Sequence, residues 1–335
     1  MKISFFDTHQ FEKDIFKRTN QKYNFEIIFH ETRLDEQTAV LATESAVVCS
    51  FVNDKLNDGC IRQLKKLNVK MIALRSAGFN HVDIASCEKY NLVVSRVPGY
   101  SPHAIAEFAV GLLLDLNRKI HRSYSRVREL NFSLEGLVGF DLYGKTIGVV
   151  GAGKIGRIFA EIMTSFGCRV LIYDLVPDYD LEKKLNAKYT DFETLCRQSD
   201  IISLHAPLTP KTHHLVNNEA LKNMKQGTFL INTGRGALID AKALIENLKS
   251  GHIGGAALDV YEEEENVFFH DLSNQILQDD ILARLLTFPN VLVTSHQAFL
   301  TQEALKNIAE STLQSIEDFQ RTGTVPSNVL VQSKN

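Results

Sequence analysis

Gly151-Ala152-Gly153-Lys154-Ile155-Gly156 follows directly on the apolar run Ile147 to Val150 and leads into a helical pattern from Arg157 to Met163. A strand, a glycine-rich turn and a helix N-terminus in that order make a cradle for a pyrophosphate. The first glycine permits the tight turn, the second lets backbone amides approach the anion, and the third lets the helix pack closely on the strand. Asp174 closes the next apolar run, about 20 residues further on, where a carboxylate can bond both ribose hydroxyls of an adenosine and repel a 2′-phosphate. The pattern favours NAD over NADP. A glycine turn without a ligand is the plainer alternative, and the coincidence of strand, glycines, helix and acid weighs against it.

Three further polar residues fall at or just beyond apolar runs in the second half: Arg235 in Asn232-Thr233-Gly234-Arg235-Gly236, Glu264 shortly after Asp259, and His296 in Thr294-Ser295-His296-Gln297. A guanidinium is a planar fork that matches a carboxylate and a neighbouring carbonyl oxygen. Histidine exchanges its proton near neutral pH, and an adjacent glutamate favours its protonated form. The three together are a carboxylate anchor and a proton donor. Singly each has a plainer reading: Arg235 as a surface bridge between strands, His296 as a satisfied core imidazole, Glu264 as part of a solvated face with Glu262, Glu263 and Glu265. Convergence on one sheet edge is what favours the catalytic reading of Arg235 and His296.

The elements that must carry these residues alternate. Apolar runs at Lys2 to Phe6, Phe25 to Phe29, Ala46 to Phe51 and Met71 to Leu74 read as strands between amphipathic stretches. A second series reads likewise at Lys145 to Val150, Val170 to Asp174, Ile201 to Leu204, Thr228 to Asn232, Ala256 to Asp259 and Val291 to Thr294. Such alternation predicts α/β architecture with parallel sheets, in which ligands bind beyond the carboxyl ends of the strands. A long helix is predicted from Ser101-Pro102 toward Leu116, with a capping serine and a proline in the first turn. Its apolar residues run round nearly the whole circumference, which requires burial between domains or subunits. The acidic stretch from Glu262 to about Leu286 reads as a solvated excursion, Glu264 apart.

With 335 residues the chain fits two domains. Apolar residues at 44% and charged residues at 23% are ordinary for a globular protein, and neither disorder nor a membrane class is indicated. A net charge of -3, with Lys and Arg dispersed, argues against a nucleic-acid partner. The apolar run before Asp7 is too short for a signal peptide, and no span of membrane-crossing length follows. Cys49, Cys60, Cys87, Cys168 and Cys196 are irregularly spaced without a CxxC pair, as expected of reduced core thiols in a cytoplasmic protein. No metal site is expected. His213-His214 are adjacent rather than four apart on a helix and read as loop residues.

Several long motifs in order now resemble one family: Arg75-Ser76-Ala77-Gly78-Phe79-Asn80-His81-Val82-Asp83, Val97-Pro98-Gly99-Tyr100-Ser101-Pro102, the glycine loop, His205-Ala206-Pro207-Leu208-Thr209-Pro210, Asn232 to Asp240, and His296-Gln297-Ala298-Phe299-Leu300-Thr301. The sequence resembles the D-specific 2-hydroxyacid dehydrogenases and, within them, the fermentative D-lactate dehydrogenases. The resemblance implies two Rossmann-like domains with parallel sheets. A discontinuous flavodoxin-like substrate domain, residues 1–100 plus 299–335, would receive an inserted NAD-binding domain, residues 101–298. It implies that His296 is the acid/base, Glu264 its partner, and Arg235 the group that binds and polarises the substrate. Backbone amides around Ala77 and Gly78 would hold the substrate carboxylate, and Tyr100 and Phe299 would line the pocket. The implied NAD contacts are Gly151, Gly153, Lys154, Ile155, Gly156, Asp174, His205, Ala206, Pro207, Thr212, Thr233, Gly234, Arg235, Asp259 and His296. Thr212 stands where asparagine is often found in the lactate subgroup.

Pyruvate and D-lactate are the substrate pair expected, since bulky Tyr100 and Phe299 favour a small side chain; 2-ketoisocaproate, hydroxypyruvate and glyoxylate are alternatives. Formate oxidation fits less well, because that branch usually lacks the glutamate. A homodimer or homotetramer is implied. A non-catalytic NAD-sensing, corepressor-like protein is the rival from another class, and Arg235, Glu264 and His296 standing together favour the enzyme.

Overall fold

The computed structural model describes residues 1–332, so the last three residues of the stretch 299–335 lie outside the described residues. The chain divides into two units, Met1–Ser101 together with the segment from Leu300 onward, and Pro102–Phe299. Ser101 thus groups with the first unit and Phe299 with the second, one residue from the sequence-based division at each boundary.

The first unit is built on six strands, β1 (Lys2–Phe5), β2 (Glu26–Phe29), β3 (Val47–Ser50), β4 (Met71–Leu74), β5 (Val93–Ser95) and, numbered last in the chain, β13 (Val329–Val331). Their order is β13-β5-β4-β3-β1-β2. The first five run parallel, but β13 pairs antiparallel with β5, so this sheet is mixed at one edge rather than wholly parallel. Every residue of β3 and β4 is buried, which is why these strands read as unbroken apolar runs rather than alternating ones. Arg75 follows β4 and is buried in a bidentate pair with Glu12, at 2.8 and 2.9 Å, while its Nη2 also donates to the carbonyls of Phe6 and Asp7. It ties β4 to the end of β1 and to the helix Gln10–Asn20.

The second unit holds seven strands: β6 (Thr146–Val150), β7 (Arg169–Tyr173), β8 (Lys188–Tyr189), β9 (Ile201–Leu204), β10 (Thr228–Asn232), β11 (Ile253–Leu258) and β12 (Val291–Val293). They form one parallel sheet in the order β12-β11-β10-β9-β6-β7-β8. The strand order reverses between β6 and β9, the point at which an open sheet leaves a crevice for a ligand. Apolar clusters cover both faces. On one, Ala109, Leu113 and Leu116 of the helix Pro102–Arg118 pack with Phe159, Ala160 and Met163 of the helix Lys154–Ser165. The near-continuous apolar surface of Pro102–Arg118 is therefore met largely inside its own unit. A run of exposed apolar residues lies after it, among them Leu130, Phe132, Leu134, Val138 and Tyr143.

The acidic stretch after β11 departs from a solvated excursion. Phe268, Leu282 and Leu285 are buried in the core of the second unit, and a helix forms at Asp280–Leu286 behind an Asp279 cap. All five cysteines are free and buried, and burial pushes the thiols of Cys49, Cys60, Cys87 and Cys196 up to about 12. No helix among the described residues is long and apolar enough to cross a membrane.

Candidate active site

The glycine loop has the geometry its residues predict. Gly151 sits at φ +92, and a Cβ there would lie 2.7 Å from the Ala206 amide, so the loop after β6 and the loop after β9 touch backbone to backbone. At Gly156 a Cβ would come within 1.9 Å of the Gly151 carbonyl oxygen, the close approach of helix to turn. Gly153, by contrast, faces open space. It precedes the helix Lys154–Ser165, whose first turn has no side-chain cap, leaving its leading amides open to an anion. Asp174 follows β7 and is held by the Ala152 amide at 2.6 Å and the Val176 amide at 3.1 Å.

Arg235, Glu264 and His296 follow β10, β11 and β12, three neighbouring strands of one sheet. The Arg235 turn is shaped by buried Asn232, whose side chain accepts from the Gly234 amide at 3.0 Å and donates to the Arg235 carbonyl at 2.9 Å. The guanidinium donates to the Gly234 carbonyl at 2.7 Å, and among the described residues no carboxylate pairs with it. It is half-buried, and its remaining N–H donors have the fork geometry that suits an anionic ligand. A Cβ on Gly236 would come within 2.0 Å of the Tyr261 carbonyl carbon, so only glycine lets the Arg235 turn lie against the segment that leads to Glu264.

Glu264 and His296 meet directly. His296 Nδ1 lies 2.7 Å from Glu264 Oε1, while Glu264 Oε2 accepts from the Tyr261 amide at 2.9 Å. The other ring nitrogen, Nε2, is not engaged by this contact. His296 adopts φ +52, a left-handed conformation uncommon outside glycine, and Asp259 holds it there. The Asp259 carbonyl accepts from the His296 amide at 2.7 Å. Its carboxylate accepts from Thr294 Oγ1 at 2.6 Å and from the amides of Gln297 and Ala298 at 2.9 Å each. Asp259 is fully buried, and burial raises its carboxyl above the usual range despite these donors. The sequence reading gave Asp259 a cofactor contact; its visible work is to fix the turn that presents His296.

Two other expected cofactor contacts also have work inside the protein. Thr212 Oγ1 donates to the Pro207 carbonyl at 2.7 Å and accepts from the Thr209 amide at 2.8 Å, closing its own loop. His205 follows β9 with Nε2 2.9 Å from Ser203 Oγ, and burial pushes its imidazole down to about 3, so it stays neutral. Thr233 differs, because its buried hydroxyl has no hydrogen-bond partner. In the first unit Ser76 Oγ donates to the Gly78 carbonyl and Arg96 to the Ala77 carbonyl, while among the described residues neither the Ala77 nor the Gly78 amide donates to a protein acceptor. Tyr100 closes the loop before the helix Pro102–Arg118, with its carbonyl taking a bond from Asn307. Phe299 is buried.

The model of the family described as D-isomer specific 2-hydroxyacid dehydrogenase, NAD binding domain, matches residues 110–298. Over 98% of its length the chain is 47% identical to the D-lactate dehydrogenase of Escherichia coli, covering 100% of that protein. The chain belongs to the D-isomer-specific 2-hydroxyacid dehydrogenases. The apo-structure of the E. coli enzyme superposes with a TM-score of 0.90 at 46% identity, covering 99% of this chain and 100% of that one. A structure of the Aquifex aeolicus D-lactate dehydrogenase complexed with NAD and lactic acid gives a TM-score of 0.86 at 31% identity, with 99% and 100% covered. An aromatic 2-oxoacid reductase of Clostridium sporogenes is 40% identical over 97% of this chain and 98% of its own length.

This dehydrogenase is accordingly an NAD-binding oxidoreductase of α/β fold. Its own residues fit the cofactor: the open face at Gly153, the uncapped helix end, the preset Asp174 carboxylate and the orphaned Thr233 hydroxyl. What sequence reasoning missed were the residues that hold the site rather than touch ligand, Asn232, Gly236 and Tyr261. Nothing in a glycine at 236 announces its close approach to Tyr261, 25 positions away, and Asn232 and Tyr261 act through local bonds that carry no sequence motif.

Proposed function

We propose that this dehydrogenase reduces pyruvate to D-lactate. The observation that carries the reading is the His296–Glu264 contact of 2.7 Å at the ends of the strands neighbouring that of Arg235, a half-buried guanidinium with no carboxylate partner among the described residues. Arg235 offers parallel N–H donors to the substrate carboxylate and the keto oxygen. NAD, in its reduced form, supplies the hydride. Charge grows on the keto oxygen as the reaction proceeds, and Arg235 stabilises it there. Protonated His296 donates from Nε2 to that oxygen, while Glu264 holds Nδ1 and orients the ring. The open amides of Ala77 and Gly78 are the proposed carboxylate donors of the first unit. Gly151, Gly153, Lys154, Ile155, Gly156, Asp174, Ala206, Pro207, Thr233 and Gly234 are proposed to hold the cofactor.

Pyruvate ranks first for two reasons, the 47% identity to a D-lactate dehydrogenase and the bulk of Tyr100 and Phe299. Similarity to an aromatic 2-oxoacid reductase makes the choice of side chain the point to test. One methylene of pocket size changes discrimination by only about 1–3 kcal/mol. The test follows NADH absorbance with pyruvate, 2-ketobutyrate, 2-ketoisocaproate, phenylpyruvate, hydroxypyruvate and glyoxylate, then D- and L-lactate in reverse. The highest kcat/KM is expected for pyruvate, with reversal by D-lactate alone. A higher value for phenylpyruvate overturns the substrate assignment, and no turnover with tight NADH binding overturns the enzyme reading.

The exposed apolar residues Leu130, Phe132, Leu134 and Val138 support a homo-oligomer, since such a patch is what a subunit contact covers. Five free, buried thiols support a reducing compartment, the cytoplasm.

A further inference from the structure

We propose that His213, His214 and Glu262 form a binding site for one zinc ion, separate from the catalytic residues. Neighbouring side chains on an extended chain point to opposite sides, which is why an adjacent histidine pair reads poorly as a chelate. Here His214 takes φ +50, and the left-handed turn brings both imidazoles to one side, stacked with ring centroids 4.0 Å apart. Both then aim at a single oxygen: Glu262 Oε1 lies 2.8 Å from His214 Nε2 and 3.8 Å from His213 Nε2.

The three donor atoms all lie within 4.8 Å of one another. Donors at ordinary zinc distances in a tetrahedron stand roughly 3.3 Å apart, inside the spread found here. At 3.8 Å His213 Nε2 is too far from the carboxylate to hydrogen-bond, and among the described residues its ring makes no other hydrogen bond, so its lone pair is available. Imidazole nitrogen with carboxylate oxygen is a donor set that suits zinc better than calcium or magnesium, which prefer all-oxygen shells.

The backbone pre-forms the arrangement. The His214 amide donates to the Ala237 carbonyl at 2.8 Å and the His213 amide to the Thr209 carbonyl at 2.9 Å, while Gly236 lies against the Tyr261–Glu262 peptide. All three ligands therefore hang from loops anchored on the Gly236–Leu238 turn. The ion has access, because His214 and Glu262 border an open cavity of about 820 Å³. Asp240, Glu263 and Asp279 also line it, against the single cation Lys242, and that balance draws a cation in. A fourth coordination position is left to water.

The test is titration of the chelator-stripped full chain with zinc, read by calorimetry and thermal melting, and with cobalt, read by its visible absorption. One ion per chain, micromolar affinity or tighter, and a raised melting temperature are expected. His213→Ala, an exposed substitution that leaves the fold intact, and Glu262→Gln should each weaken zinc at least tenfold and abolish the thermal shift. Equal zinc affinity in wild type and His213→Ala, or no binding below millimolar zinc, overturns the site and leaves only a His214–Glu262 hydrogen bond. Neither readout requires turnover, so the result stands apart from the dehydrogenase reading.

Discussion

At the scale of single residues, the site separates groups that act from groups that aim them. Glu264 meets His296 Nδ1 at 2.7 Å, a contact that fixes the ring's orientation and tautomer. Replacing Glu264 with Gln removes the negative charge but keeps an acceptor. On the proposed mechanism kcat for keto-acid reduction should then fall while the NADH dissociation constant stays nearly unchanged; an unchanged kcat would assign Glu264 a packing role. Asp174→Ala should weaken NADH and narrow its advantage over NADPH, since the carboxylate that repels a 2′-phosphate is gone. Comparison of the two dissociation constants in wild type and variant measures this, and an unchanged ratio would contradict it. Arg235 and His296 were singled out in the sequence because each stands just past an apolar run, whereas only the family resemblance set Glu264 apart from Glu262, Glu263 and Glu265. Asp259 was read as a strand end and, from the resemblance, as a cofactor contact. That its oxygens would be spent on Thr294, Gln297 and Ala298 depends on a pairing across 35 or more residues, which no local pattern carries.

At the scale of elements, the left-handed turn at His296 depends on one buried carboxylate. Asp259→Asn places an amide N–H against a backbone N–H that was bonded, and leaving such a donor unpaired costs about 1–3 kcal/mol. Both the urea midpoint and kcat should drop, with NADH affinity less affected. A wild-type midpoint with wild-type kcat would show that the turn holds itself. Strand positions were read well where burial on both faces gives a continuous apolar run, as in β4, β9 and β10. The strands missed were β5, β8 and β13, of three, two and three residues, too short to show any period. The acidic stretch misled because its charges dominate its composition, while Phe268, Leu282 and Leu285, spaced far apart, do the anchoring.

At the scale of the whole molecule, buried imidazoles set the acid limit of stability. Burial holds His205 down at about 3 and His81 at about 4, both below the ordinary value of 6.5. The unfolded chain therefore binds more protons than the folded one as pH falls below 6.5, and stability is lost progressively toward pH 4. Asp54 opposes this in part: burial pushes its carboxyl up to about 6, so its folded form takes a proton readily below that pH. Buried Asp259 is raised as well, while His30 is lowered with His81 and His205; with the imidazoles in the majority, urea midpoints should fall between pH 7 and pH 4.5, and less steeply in His81→Gln. If the proposed homo-oligomer is built on the exposed patch near Leu134 and Val138, charged substitutions there should lower the assembly state seen by sedimentation, and an unchanged sedimentation would remove the patch from that role.

The central claim is that His296 is the proton donor of this dehydrogenase. It is tested most directly by measuring pyruvate-dependent NADH oxidation in His296→Asn beside calorimetric NADH binding. Loss of a positioned general acid should reduce kcat by about 10²–10⁴-fold while the NADH dissociation constant stays nearly unchanged. Turnover close to wild type in that variant would contradict the account.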